Sequence, residues 1–437
     1  MDGVKRRGVL FPLFSLPGPD GIGTIGRPAR DFIDFLAQAG QDLWQILPIG
    51  PSDETGSPYR VLSAMGGDPL LIDAGELCAA GYISAAELSD YYAAARLREQ
   101  TGSGHCAAHI DYAHLRALKF PLLETAALRA GRSLNELFFA QWQSLRAYAD
   151  SCGVGIIGDL PFYVSDESSD YRERPELFGD AFGGVPPDDY SSEGQIWHEP
   201  VYRWRAHRET GYAWWRARVA QAAELYTGVR LDHFRGFADY YEIRPGEDAS
   251  SGTWREGPGE EMIDVFEEVR GGLTLIAEDL GFLSDRARKL REYSGWPGMA
   301  VLQFAFEPGA ESAYLPHRHT PNTVVYTGTH DNDTLAGWIH DMSARRSDVI
   351  EYACEYLGVN GADALPRAMI GAALGSAART AIIPLQDYLG LGSEARINTP
   401  GTTCPANWSF RLADGSLTAE LAETMRNYYE KPIDYNS

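Results

Sequence analysis

The chain has little cysteine, a shortage of basic residues and no long apolar run. Its 437 residues include only 5 cysteines, none in a closely spaced pair: Cys78, Cys106, Cys152, Cys354 and Cys404. A sparse and odd cysteine count argues against a disulfide framework and favours a reducing compartment. No stretch approaches the roughly 18 consecutive apolar residues of a membrane-spanning helix. We therefore expect a cytoplasmic protein that does not bind membranes.

The first residues match a secretion signal only in part. Basic residues at positions 5–7 precede an apolar run over 8–16. Pro12 and Ser15 interrupt this run, and no small-residue cleavage site follows it. The cytoplasm remains the expected location.

Charge and composition exclude two further classes of protein. The chain has 38 Lys and Arg residues against 61 Asp and Glu residues, a net charge of −23. Such a chain repels nucleic-acid phosphates, so we expect no nucleic-acid partner. Hydrophobic residues make up 44% and aromatic residues 11% of the chain, as in packed globular proteins and unlike disordered ones.

Eight short apolar runs, most of them separated by helical patterns, predict the fold. They lie at residues 9–14, 42–47, 154–160, 228–233, 273–278, 300–304, 323–327 and 381–385. Near-continuous apolar strands suit a parallel sheet covered on both faces. The alternation therefore predicts an α/β fold, a (β/α)8 TIM barrel. A doubly wound open sheet is the alternative, but the glycine-rich segment 18–26 lacks the spacing of a phosphate-binding turn.

We expect residues 1–437 to form one catalytic barrel that carries two insertions. Residues 65–150 predict a mostly helical insertion between the second and third strands. Residues 165–205, rich in Pro, Gly and Trp, predict a long loop after the third strand. Long loops in compact proteins usually carry function, so we expect this loop at the active site.

Acidic residues follow the predicted strands repeatedly. Asp159, Asp232 and Glu278 end the third, fourth and fifth strands. Asp331 and Asp387 follow the seventh and eighth. One acid after a strand is usually a helix cap or part of a turn, but several on one barrel are expected at its catalytic end. Two such carboxylates can cleave a glycosidic bond, because one attacks the anomeric carbon and the other transfers a proton.

Two other kinds of active site are less favoured. The His and Asp residues could bind a divalent metal, as in a metal-dependent sugar isomerase, but the chain has no HExxH motif and no His-rich cluster. A Ser-His-Asp hydrolase is disfavoured because no GxSxG motif is present.

Aromatic residues crowd the strand ends and loops. They are Tyr59, Phe162, Tyr163, Tyr190, Trp197, Tyr202, Trp204, Trp214 and Trp215. Sugar rings stack on flat aromatic faces, so this content agrees with a carbohydrate site. Trp214 and Trp215 lie on a helical pattern, and we expect them in the core instead.

A series of motifs, in this order along the chain, resembles one enzyme family. The motifs are GSPY (56–59), GDLPFYV (158–164), GVPPD (184–188), GQIW (194–197), RLDHFRGF (230–237), EDLG (278–281), PGM (297–299), LQFAF (302–306), YTGTHD (326–331) and NTPG (398–401). Over nearly its whole length the chain resembles the 4-α-glucanotransferases, also called amylomaltases or disproportionating enzymes.

The resemblance implies an α-amylase-like barrel, a retaining mechanism and no cofactor. By resemblance Asp232 is the nucleophile, Glu278 the general acid/base and Asp331 the third carboxylate, which holds sugar hydroxyls. The implied glucan-binding residues are Tyr59, Asp159, Trp197, Arg230, His233, His330 and Asn398. The implied substrates are malto-oligosaccharides and other α-glucans, and the oligomeric state stays open.

The chain departs from the family pattern in its loops and is shorter than typical bacterial members. Where the family has Trp-Gly-Asn-Pro, this chain has Trp197-His198-Glu199-Pro200. The family's Phe-Ala-Gly-Asn is replaced by a segment that ends in Asp68, and Asp189 replaces the tyrosine of the family's Pro-Pro-Asp-Tyr-Phe. These changes affect the expected acceptor and chain-length preference, not the chemistry. Glu199 would raise the pKa of Glu278 if the two lay close together; alternatively, both new side chains point to solvent.

Residue spacing supports the catalytic roles. Arg230 and Asp232 are two residues apart on one predicted strand, so their side chains share a face. A cation there favours the ionised nucleophile. Neighbouring acids should raise the pKa of Glu278, as a proton donor requires near neutral pH. We expect the carboxyl groups of Asp232 and Glu278 about 5–5.5 Å apart, the retaining geometry.

Two rival functions follow from the same residues. A retaining hydrolase would pass the glycosyl group to water, and the sequence does not separate it from a transferase. A non-catalytic glucan-binding protein is disfavoured because Asp232 and Glu278 are both present.

Overall fold

A computed structural model describes residues 5–96, 106–187, 193–281 and 283–430. Within these ranges the strands are β1 (Arg6–Leu10), β2 (Leu43–Gln45), β3 (Cys106–His109), β4 (Gly155–Leu160), β5 (Phe178–Val185), β6 (Gln195–Tyr202), β7 (Gly228–Leu231), β8 (Asp239–Ile243), β9 (Thr253–Glu256), β10 (Thr274–Ala277), β11 (Gly298–Val301), β12 (Thr323–Tyr326), β13 (Thr380–Pro384) and β14 (Phe410–Leu412). The predicted Asp188, Asp189 and Tyr190 lie outside the described residues.

The helices of the same ranges are α1 (Arg27–Gln38), α2 (Ala74–Ala79), α3 (Ala85–Arg96), α4 (Tyr112–Ala130), α5 (Leu134–Ser151), α6 (Ser169–Glu173), α7 (Trp204–Glu209), α8 (Ala213–Leu225), α9 (Glu260–Val269), α10 (Asp285–Ser294), α11 (Leu335–Arg345), α12 (Ser347–Leu357), α13 (Leu365–Gly375), α14 (Leu385–Leu389) and α15 (Ala419–Glu430). Several of them begin at a side-chain cap. Before α5, for example, Ser133 and Glu136 form a reciprocal capping box, which satisfies backbone N–H groups of the first turn.

The chain divides into two compact units. The first takes its described residues from Met1–Ile46, Leu70–Ile156 and Met299–Ser437, and the second from Leu47–Pro69 and Ile157–Gly298. In the first unit, β1 pairs in parallel with β2 and β13, and β12 pairs in parallel with β13. In the second, β7 pairs in parallel with β4 and β10.

The eight parallel strands follow the order β10-β7-β4-β2-β1-β13-β12-β11. Within the second unit, the N–H of Ala277 at the end of β10 donates to the carbonyl of Pro297, just before β11, at 2.9 Å. Strands that follow one another in chain order around a sheet form the topology of a (β/α)8 barrel. All eight predicted strands are present, although those predicted at 9–14 and 300–304 begin earlier, as Arg6–Leu10 and Gly298–Val301.

Aromatic packing builds a separate core in each unit. In the first, Phe32 packs edge-on against Trp44 with ring centroids 5.0 Å apart, and the Trp44 indole N–H donates to the Phe11 carbonyl at 2.8 Å. In the second, Trp214 and Trp215 on α8 are buried, as predicted. Large buried rings contribute much of the stabilisation from apolar burial.

The insertion at 65–150 is largely helical, as predicted. It contains α2, α3 and α4, followed by α5. It also contains β3, which pairs antiparallel with β14 in the first unit. That the whole chain forms one catalytic barrel remains a prediction.

The segment 165–205 contains more regular structure than the predicted loop. Strands β5 and β6 pair antiparallel, and they form a four-stranded sheet with β8 and β9 in the order β6-β5-β8-β9. The FGDAFGGV sequence of β5 has glycine at three positions and no alternation of apolar and polar residues. Because glycine is depleted in strands, the local sequence pattern does not predict a strand here. A Cβ atom at Gly184 would lie 2.2 Å from the carbonyl oxygen of Gln195, so close pairing with β6 requires glycine there.

Candidate active site

Three predicted site residues of the second unit meet around one arginine. Arg230 on β7 lies directly opposite Asp159 on β4 in the parallel register. Its Nη1 atom lies 2.8 Å from Oδ2 of Asp159 and 3.0 Å from Oδ1 of Asp232. The side chains of Arg230 and Asp159 are only 6% and 0% exposed, whereas that of Asp232 is 26% exposed. The predicted proximity of Arg230 and Asp232 is confirmed, and solvent reaches Asp232.

Tyr59 completes the surroundings of this arginine. Its hydroxyl donates to Oδ2 of Asp159 at 2.8 Å and accepts from Nη1 of Arg230 at 3.3 Å. Burial raises the pKa of Asp159 to about 7, although Arg230 and the Tyr59 hydroxyl act in the opposite direction. Partners of this kind offset part of the cost of a buried carboxylate.

Glu278 follows β10 and is held by two backbone amides. The N–H of His233, the residue after Asp232, donates to Oε2 at 3.0 Å, and the N–H of Leu280 donates to Oε1 at 3.0 Å. Burial is the main cause that raises the pKa of Glu278 to about 7, and the charges of Asp232 and Asp279 add to the shift. The predicted direction is confirmed, but burial contributes more than the neighbouring acids.

Two aromatic side chains lie beside these carboxylates in the second unit. The rings of Trp197 and His233 meet edge to face with centroids 4.9 Å apart, and His233 also packs against Phe162. Burial lowers the pKa of His233 to about 4. The imidazole is therefore neutral near pH 7, and its backbone N–H rather than its ring holds Glu278.

The first unit brings together the other three predicted site residues. Nδ2 of Asn398 donates to Oδ1 of Asp331 at 2.6 Å. Nε2 of His330 lies 3.4 Å from Oδ2 of Asp331, whose side chain is 41% exposed. The N–H of Asn398 also donates to the carbonyl of His330 at 3.1 Å. An amide and an imidazole therefore orient a solvent-accessible carboxylate.

Asp387, the remaining strand-end acid, has a structural role. Its Oδ1 accepts from the N–H of Leu335 at 2.7 Å and its Oδ2 from the hydroxyl of Thr327 at 2.5 Å. Burial raises the pKa of this carboxyl to about 6. Asp387 fixes the first residue of α11 to the end of β12.

Left-handed backbone conformations occur next to the candidate residues. Non-glycine residues with positive φ are His198 (63°), Tyr212 (58°), His233 (46°) and Trp408 (62°). His198 follows Trp197, His233 follows Asp232, and the Trp408 ring lies 5.9 Å from that of His330. Each such residue costs on the order of 1–3 kcal/mol, and such strain concentrates at functional sites.

Sequence reasoning missed Arg60 and Trp408 and left the direction of Glu199 open. Glu199 is 8% exposed and lies 3.8 Å from Nε of Arg60, so it points inward. His198 is exposed. The one feature of the sequence that could have indicated a role for Arg60 is its position directly after Tyr59. Its contact with Glu199 depends on a segment that is distant along the chain.

The described ranges offer neither a cluster of potential metal ligands nor a membrane-spanning helix. Within them, no group of three or more His, Cys, Asp or Glu side chains is arranged to hold a metal ion. Among the helices there, none is both long and apolar enough to span a bilayer.

Comparison with known proteins identifies the family. The model of the glycoside hydrolase family 77 4-alpha-glucanotransferases matches residues 11–136 and 128–418. The chain belongs to this family. A 4-alpha-glucanotransferase of Thermus thermophilus is 37% identical over an alignment of 491 positions, which covers 96% of this chain and 97% of the relative. One of Streptococcus pneumoniae (strain ATCC BAA-334 / TIGR4) is 35% identical over 496 residues, covering 96% of this chain and 95% of the relative.

A solved structure agrees with this family assignment. The amylomaltase from Streptococcus agalactiae in complex with acarbose superposes with a TM-score of 0.89 at 30% identity, covering 98% of this chain and 100% of the other. The predicted (β/α)8 fold and the predicted family are confirmed. The chain is an enzyme of the retaining 4-alpha-glucanotransferase type, and the rival hydrolase is not favoured.

Proposed function

We propose that Asp232 is the nucleophile, Glu278 the general acid/base and Asp331 the third carboxylate in glucan transfer between malto-oligosaccharides. The observation that carries this proposal is the contact of Arg230 with Asp232 at 3.0 Å. The backbone N–H of His233, the residue after Asp232, holds the carboxyl group of Glu278 beside it. Arg230 contacts Asp232 directly, whereas at Glu278 its charge only partly offsets the effect of burial.

Asp232 and Glu278 then have different environments, as their two roles require. The guanidinium of Arg230 contacts Oδ1 of Asp232 at 3.0 Å and orients this carboxylate for attack. Burial raises the pKa of Glu278 to about 7, so the group holds a proton near neutral pH and can donate it.

The reaction takes place in two steps. In the first, an Oδ atom of Asp232 bonds to the anomeric carbon, the glycosidic bond breaks, and the Glu278 proton moves to the leaving oxygen. In the second, the acceptor 4-hydroxyl gives its proton to the Glu278 carboxylate and bonds to the anomeric carbon, while the Asp232 ester bond breaks. Two inversions restore the α configuration.

The remaining candidates are proposed to bind the glucan. Tyr59, Asp159 and Arg230 form a buried polar group, and Trp197 and His233 offer ring faces. In the first unit, His330 and Asn398 orient Asp331, and its exposed carboxylate can accept hydrogen bonds from two sugar hydroxyls. The expected separation of about 5–5.5 Å between the carboxyls of Asp232 and Glu278 stays a prediction.

Incubation with maltotriose tests the proposed function. Transfer yields glucose and chains longer than maltotriose while the number of reducing ends stays constant, whereas hydrolysis yields only shorter chains and new reducing ends. Chromatography and a reducing-end assay on the same samples separate the two. Purely shorter products would overturn the proposal.

We also propose a cytoplasmic location. The described cysteines Cys78, Cys152, Cys354 and Cys404 are free thiols, which suits a reducing compartment. Cell fractionation with a compartment marker tests this, and recovery outside the cytoplasm would contradict it.

A further inference from the structure

A buried acid of the second unit lies outside the proposed chemistry. Glu199 on β6 is 8% exposed, and its Oε1 lies 3.8 Å from Nε of Arg60. The same Nε lies 3.2 Å from Oδ2 of Asp53, whose side chain is 9% exposed. Asp53, Arg60 and Glu199 therefore form a group with one cation, 36% exposed, between two buried acids, which we call the Arg60 triad.

The triad joins two segments that carry proposed glucan-binding residues. Arg60 directly follows Tyr59, whose hydroxyl contacts Asp159 and Arg230. Glu199 lies two residues after Trp197 on β6. The contact between Arg60 and Glu199 therefore links the loop of Tyr59 to the strand of Trp197.

Asp53 also shapes the loop itself. Its Oδ1 accepts from the N–H of Thr55 at 2.9 Å and from the Thr55 hydroxyl at 2.5 Å. The Thr55 hydroxyl in turn accepts from the N–H of Ser57 at 3.2 Å. The carboxylate of Asp53 thus contacts both the turn before Tyr59 and the side chain of Arg60 after it. A change at Arg60 should therefore alter the backbone that carries Tyr59.

We propose that Arg60, held by Asp53 and Glu199, is a positioning residue that fixes Tyr59 relative to Trp197 and thereby sets the affinity for glucan. The inference rests on the proposed function, because it takes both aromatic residues as glucan-binding. A guanidinium stays protonated and cannot act as a base or nucleophile, so the loss of Arg60 weakens binding more than the chemical step.

The charged and titratable groups around Glu199 add a pH signature. Arg60 favours its ionised form, whereas Asp166 and Asp53 disfavour it, and Tyr163 and Tyr202 also interact with its charge. Burial is the main cause that raises the pKa of Glu199 to about 8. Glu199 therefore gains its charge, and full pairing with Arg60, only as the pH rises through about 8.

Replacement of Arg60 tests the proposal through separate KM and kcat measurements. We expect Arg60→Gln to raise KM for maltotriose about 10-fold, because the cation that contacts both Asp53 and Glu199 is lost, with kcat within about twofold. Arg60→Lys keeps the cation and should recover most of the loss. The matched control is Arg203→Gln, which removes an exposed ion pair with Asp180 on the same hairpin and should leave both constants unchanged. A fall in kcat at constant KM, or an unchanged KM, would overturn the proposal.

Glu199→Gln gives a second test that preserves side-chain shape. Between pH 7 and 9 the KM of the wild type should fall relative to that of Glu199→Gln, because only the wild type gains a negative charge beside Arg60. Parallel KM profiles would contradict the proposal. If the wild type showed no transfer, the proposed function would fail first, and maltotriose binding measured by calorimetry on the same variants would still decide the role of the triad.

Discussion

The two compact units hold their candidate carboxylates in different ways. In the second, Arg230 contacts Asp159 and Asp232 together, and its side chain is 6% exposed. In the first, Asp331 is 41% exposed and is oriented by the amide of Asn398. Burial penalises charge, so the buried Asp159 is compensated by Arg230, whereas the hydrated Asp331 needs only orientation. Changes in the second unit should therefore cost more activity than changes to the partners of Asp331.

The largest effect is expected from Asp232→Asn. The amide cannot form the glycosyl ester, and loss of an enzyme nucleophile lowers kcat on the order of 10⁶-fold. Maltotriose turnover measures the loss, and circular dichroism checks that the fold survives. A variant that keeps about a tenth of wild-type activity would contradict the assignment of the nucleophile.

A smaller and substrate-dependent effect is expected from Glu278→Gln. Loss of proton donation typically costs about 10²–10⁴-fold, and maltotriose, with its poor leaving group, should show it. A glucosyl fluoride needs no protonation, so it should still form the glycosyl-enzyme at nearly the wild-type rate. Equal losses on the two substrates would argue against the acid/base role.

The pH profile separates Glu278 from Asp159, since burial raises the pKa of both to about 7. Glu278 must be protonated in the first step, so kcat/KM for maltotriose should fall as the pH rises through about 7. Asp159→Asn should keep this alkaline limb at lower overall activity. Glu278→Gln acting on the fluoride should lack it. If Asp159→Asn alone removed the limb, Asp159 would be the titrating group.

The smallest effect is expected from Asn398→Ala. It removes the 2.6 Å hydrogen bond to Oδ1 of Asp331 but leaves that carboxylate in place. Loss of one such hydrogen bond should lower kcat/KM about 10-fold. Steady-state kinetics beside Asp331→Asn provide the comparison, and a loss as large as that of Asp331→Asn would mean that Asn398 itself contacts the reacting sugar.

Local patterns predicted the barrel strands but not the small antiparallel sheet. Strands such as Gly155–Leu160 are buried at every position, and a parallel strand covered on both faces leaves a continuous apolar run in the sequence. In Phe178–Val185, glycines interrupt the pattern. The sequence of this strand also does not indicate that it pairs with Gln195–Tyr202 and Asp239–Ile243.

The sequence by itself determined the order of strands and helices and the acids that end the strands, because both depend on residues close together along the chain. Only the tertiary structure decided how those acids behave. Burial, rather than neighbouring charge, contributes most to the raised pKa of Glu278, and Glu199 turned inward to Arg60. Both outcomes depend on which distant segments exclude water and supply a cation, and the free energy of a charge varies with those surroundings more than with its sequence neighbours.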